Sequence, residues 1–197
     1  MALYRHVASG TYPGESWSFT LHTLGSASLA TAQTDWSDAI AALWTGALDA
    51  EIFTDVELTE VSTASLDIAT GKQISRLSDD VALPGVATGA SLPAQCALCV
   101  SWRSDTATRA GRGRMYLPPL AVSVMSAGRA SAGTVTAVVA AVKAMTDVLV
   151  GDALTPVLYS RSAHTTTAIT KFDVGNVIDT QRRRRDKLIE VRTSSAL

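Results

Sequence analysis

The chain has 197 residues, a mass of 20.6 kDa and a formal net charge of −1, which fits a single domain over residues 1–197 with a substantial buried core. Charged residues make up only 18% and hydrophobic ones 47%; a surface covered by copies of the same subunit and a plain richness in Ala, Ser and Thr account for this equally well. No unbroken apolar run reaches the roughly 18 residues that cross a bilayer, and MALYRHVASG lacks a hydrophobic signal core, so neither a membrane partner nor export by a leader is expected.

The chain opens on strands: LYRHV, a turn through SGTYPGES, then SWSFTLHTL, where Trp17, Phe19, Leu21 and Thr23 share one face and Ser18, Thr20 and His22 the other. A helix over about 28–48 follows, because Trp36, Ile40, Leu43, Trp44, Ala47 and Leu48 recur at helical spacing, with Asp35 and Asp38 on its polar side. In FTDVELTEVSTASLDIATGKQISRL the alternation of Val56, Leu58 and Glu60 shifts phase at VSTAS, and a turn at 69–71 leads into a return strand, so a long hairpin is predicted. The Gly, Pro and Ala-rich residues 82–95 read as an extended loop. QCALCVSWRS is an apolar run of strand length, DTATRAGRGR a short basic connection, and RMYLPPL a strand that its prolines stop. A second helix over about 131–150 carries Val135, Val138, Val139, Val142, Met145 and Leu149 on one side, with Ser131 to cap its start and Gly151 to end it. LTPVLYSRS and TTTAITKFDVGNVIDTQ read as two more strands, followed by a basic C-terminal segment at 181–197. The sum is α+β: a mostly antiparallel β-sheet with two long α-helices and extended loops.

Chemistry is harder to find than fold. His6, His22 and His164 are the only histidines and no two stand at metal-motif spacing, so no metal site is nominated. Cys96 and Cys99 have no second pair to complete a zinc site and read as two buried thiols, with a redox pair as the alternative. The glycines of SGTYPGES lack the Gly-Lys-Ser/Thr ending of a phosphate loop. No catalytic residue and no cofactor follow, and an enzyme would need His22, His164 or Cys96 to meet acids in one cleft.

Charge is the more telling feature. Acids dominate from Asp35 to Asp80, opposed only by Lys72 and Arg76, whereas bases dominate in Arg103, Arg109, Arg112 and Arg114 and again in Arg182, Arg183, Arg184, Arg185, Lys187 and Arg192. Such regions pair within a chain or between subunits. The glycines of RAGRGR bring backbone close while guanidinium groups reach carboxylates or phosphates. In the arginine run a strand would send alternate residues to opposite faces, and Asp186 and Glu190 interrupt the field. Inter-subunit contact is therefore favoured over nucleic-acid contact at these seven arginines, and nucleic-acid binding is the alternative.

RGRMYLPP together with VGNVIDTQRRRRDKL resembles a pattern of small virion structural proteins of bacteriophages, of coat and tail type, over the last half of the chain; Arg112, Gly113, Arg114 and Arg182 to Arg185 are the matching residues. The resemblance implies a non-enzymatic subunit that self-assembles in many copies as a coat, tail-tube, terminator or neck protein. It implies as partners other copies, other virion proteins and packaged nucleic acid, a place in the virion after assembly in the host cytoplasm, and no catalytic, cofactor or metal residues to carry over.

Overall fold

A computed structural model of the chain describes residues 1–12, 15–49, 57–79, 96–104, 112–119, 125–126, 129–178 and 188–196. In chain order these are β1 (Ala2–Tyr12), β2 (Glu15–Gly25), α1 (Leu29–Asp49), β3 (Glu57–Leu66), β4 (Gln73–Asp79), β5 (Cys96–Arg103), β6 (Arg112–Pro119), the short pair β7 (Met125–Ser126) and β8 (Arg129–Ala130), α2 (Ala132–Gly151), β9 (Thr155–Ser160), β10 (Thr165–Ala168), β11 (Lys171–Ile178) and β12 (Leu188–Ala196). The fold is α+β. A six-stranded sheet has the order β10-β9-β2-β1-β3-β4, a four-stranded sheet the order β12-β11-β5-β6, and every pairing is antiparallel.

The alternation of SWSFTLHTL places Phe19, Leu21 and Thr23 inside and leaves Ser18 and Thr20 exposed. The preceding turn is tighter than the sequence suggests, since β1 and β2 stay paired out to Tyr12 and Glu15. The phase shift expected near VSTAS is a slip in the β1–β3 register between Ser9 and Gly10, where Ser9 faces Glu60 and Gly10 faces Leu58. Its effect is to turn Val61 and Thr63 toward the helices.

Trp36, Ile40, Leu43 and Trp44 of α1 pack onto that face of the six-stranded sheet. Helix α2 begins at an N-cap Ser131, whose hydroxyl accepts from the Thr134 amide at 3.1 Å, and buries Val135, Val138, Val142, Met145 and Leu149. Helices α1 and α2 touch where Gly46 faces Ala141: a Cβ at Gly46 would lie 2.9 Å from the Ala141 methyl, so only glycine permits this approach. By length and composition α2 is apolar enough to cross a membrane, which a search for unbroken apolar runs overlooks because Lys143 and Asp147 interrupt it; here one side of the helix is core. Val100, Trp102, Phe172 and Val174 of the four-stranded sheet join the same core.

Two strand readings are corrected. TTTAITKFDVGN is not one strand: β10 belongs to the six-stranded sheet and β11 to the four-stranded one, because the Ile169 amide donates to the Pro156 carbonyl and the Thr170 amide to the Arg103 carbonyl, turning the chain between them. The basic connection ends earlier than expected, since Arg112 and Gly113 already lie in β6, and the strand includes Pro118 and Pro119 rather than stopping before them, as an edge strand allows. The loop expected at 82–95 lies outside the described residues.

Candidate functional site

Of the seven arginines singled out by sequence, Arg109, Arg182, Arg183, Arg184 and Arg185 lie outside the described residues. Arg112 and Arg114 are placed on β6 opposite Arg103 and Ser101 of β5. Arg103 is in turn the partner of Lys171 on β11, so Lys171, Arg103 and Arg112 form a lateral row of basic residues at one end of the four-stranded sheet. Neighbouring strands are only about 4.8 Å apart, and cross-strand pairing ordinarily avoids basic residues directly opposite one another. Arg103 was read as part of the basic region but not as a contact residue, and Lys171 was missed, because only register brings residues so distant in sequence into line.

A second polar group sits inside the six-stranded sheet. His6 is fully buried, its Nδ1 2.9 Å from Thr63 Oγ1 and its Nε2 2.8 Å from Thr23 Oγ1, with the ring of Trp36 5.0 Å away. Burial, and secondarily the neighbouring His22, pushes its pKa down to about 3, so the imidazole is neutral. Both ring nitrogens are occupied by structure, and the group has no opening for a substrate.

The opposite face of the same sheet, turned away from α1, carries Arg5 and His22 as a direct cross-strand pair, with Tyr159 of β9 beside them. The rings of His22 and Tyr159 are 5.7 Å apart. The Tyr159 hydroxyl donates to the Ile68 carbonyl at 3.1 Å and lies 3.4 Å from His164 Nδ1, which ties the turn at 67–72 to the turn at 161–164. Gly71 makes this possible, with φ of +65° and the Tyr159 hydroxyl 2.8 Å from where a Cβ would stand. Beneath lies a small apolar cluster of Leu3, Ala64, Leu66 and Val157. Arg5 donates to Gln73 Oε1 at 2.7 Å and leaves its buried Nε without a partner. Burial lowers the His22 pKa to about 4, and the charges of Arg5 and Arg161 push the same way. Sequence reasoning considered His22 and His164 as catalytic only if acids joined them; the fold brings the two together around Tyr159 but surrounds them with Arg5 and Arg161.

Negative charge gathers on the helical side. Asp35, expected on the polar side of α1, is only 7% exposed, and its Oδ2 has no hydrogen-bond partner. Burial, then the charges of Asp152 and Asp38, raise its pKa. Asp152 is the C-cap of α2, and no basic residue occupies the last turn of that helix, so these carboxylates crowd the negative end of its dipole.

At the sheet edge, β4 pairs only with β3 among the described strands, all seven of its residues are exposed, and Ile74 and Leu77 stand 70% and 41% open. Cys96 and Cys99 lie in β5 as expected, their side chains outside the described set. No protein-family model, no curated protein and no solved structure matches this chain.

Proposed function

We propose that the protein is a non-enzymatic structural subunit of a bacteriophage particle that assembles with copies of itself and with other virion proteins as a coat, tail-tube, terminator or neck component. The observation that carries this reading is β4, which among the described residues is a sheet edge, with all seven of its residues exposed and two open hydrophobic side chains. An unguarded edge is a template for a strand of another chain, and a protein that stays monomeric ordinarily blunts it. The separated cationic and acidic faces, together with the resemblance of RGRMYLPP and VGNVIDTQRRRRDKL to phage coat and tail proteins, point the same way. The six arginines of the two motifs, with Arg109, are assigned to contacts with neighbouring subunits.

Negative-stain microscopy of purified, nuclease-treated protein at moderate salt tests the proposal. Rings, tubes or shells are expected; small monodisperse particles at every concentration would count against it. The row formed by Lys171, Arg103 and Arg112 favours one second reading, nucleic-acid binding. On that reading affinity for duplex DNA falls steeply with salt, and Arg112→Ser reduces the slope; binding indifferent to salt would remove it.

A further inference from the structure

We infer that the face of the six-stranded sheet turned away from the helices docks a second copy of this chain, Arg5 and Arg161 of one copy meeting Asp35, Asp38 and Asp152 of the next. The inference rests on the self-assembling reading and gives it a specific contact.

The positive side is built on Arg5, on β1, and Arg161, in the turn after β9, with His22 between their fields. Neither Arg5 nor Arg161 takes part in an ion pair among the described residues, whereas Arg76 pairs with Glu60 and Lys143 with Asp147. Two acids of this face and of the turn that flanks it are already engaged. Glu60 accepts from Arg76 and Ser62, and Asp67 accepts from the amides of Ala69 and Thr70 within its own turn. The site is also braced: Gln73 holds Arg5, and the Tyr159 hydroxyl locks the two turns that flank it. A partner's carboxylate would therefore meet Arg5 already placed, with little ordering of that side chain left to do.

The negative side lies across the sheet, on the far side of the core. Asp38 and Asp152 are exposed and Asp35 is nearly closed off, with an unpartnered carboxylate oxygen. None of these three enters an ion pair among the described residues. Burial, and after it the charges of Asp152 and Asp38, hold the Asp35 carboxyl above its ordinary pKa, and a guanidinium reaching the exposed Asp38 and Asp152 would offset that negative field. Since the two charge sets sit on opposite faces of one sheet, they cannot meet within a chain. Between copies they meet head to tail, a heterologous contact that propagates into a closed ring or an open tube according to the rotation between neighbours.

Charge reversal with cross-rescue tests this. Arg161→Glu and Asp38→Arg both fall on exposed positions, and circular dichroism should show each variant folded; Asp152→Arg replaces Asp38→Arg if that variant is not. In sedimentation velocity, each variant alone should need at least about tenfold more protein to assemble than wild type, a factor matching one lost charge contact. An equimolar mixture should recover wild-type assembly, because the glutamate introduced in one variant then meets the arginine introduced in the other, between unlike copies. Wild-type assembly by the single variants, or loss without rescue on mixing, overturns this contact while leaving the structural-subunit reading in place. A wild-type protein that never assembles removes both.

Discussion

His6 shows how a single side chain can report on the whole fold. Its neutral ring is wedged between Thr63 and Thr23 hydroxyls, so Thr63→Val strands one buried nitrogen, at a cost of about 1–3 kcal/mol that a shift in the urea midpoint would reveal. Protonation is costlier still. The unfolded chain takes up a proton near pH 6.5, whereas folded His6 resists until about 3 and His22 until about 4. The unfolded state therefore binds more protons as pH falls below 6.5, and the stability present at neutral pH is lost progressively from there toward pH 3. For His6 the loss runs at about 1.4 kcal/mol per pH unit. Denaturation curves at pH 7, 5.5 and 4.5 should show this decline, and His6→Gln should flatten it; an unchanged slope in that variant would assign acid sensitivity to other groups.

At the scale of elements, Gly71 and β4 carry the sharpest expectations. Gly71→Ala places a methyl against the Tyr159 hydroxyl in a left-handed backbone, so a loss of about 1–2 kcal/mol is expected in thermal or chemical unfolding. Ile74→Lys on β4 should leave stability within about 0.5 kcal/mol, since the residue is exposed, yet lower assembly measured by light scattering. What sequence made readable was local. The period of two in Phe19, Leu21 and Thr23, the period near 3.6 in Trp36, Ile40 and Leu43, and the Ser131 cap all follow from chemistry within a few residues. What it hid depends on distant partners. The break at Ile169 and Thr170 is made by carbonyls of Pro156 and Arg103, and the burial of Asp35 by the crowding of the helix pair around it. The basic row through Lys171 and Arg103 exists only in sheet register.

At the scale of the whole molecule, charge divides by face among the described residues. One side of the six-stranded sheet is cationic, the helical side carries an acidic corner at the end of α2, and the four-stranded sheet adds a basic row at its own end. A subunit with faces of opposite sign assembles best at low ionic strength. Raising salt from about 0.05 to 0.5 M, which shortens the screening length several-fold, should dissociate assemblies measured by sedimentation; particles indifferent to salt would locate the binding energy in apolar contacts such as Ile74 and Leu77. The double reversal Arg183→Glu and Arg184→Glu tests the arginine run separately, with loss of assembly and an unchanged circular dichroism spectrum expected.

The turn between β10 and β11 bears on mechanics. Only Ile169 and Thr170 separate a strand of one sheet from a strand of the other, each anchored by its amide to a different carbonyl, and the Ile169 side chain is sunk in the common core. A tug on the chain just beyond β11, where the arginine run begins, is thus carried as shear along that strand, through this two-residue strap, and into β10 and β9. The short strap and the core shared by both sheets thus couple them, so a load on one sheet is passed to the other without a slack linker between.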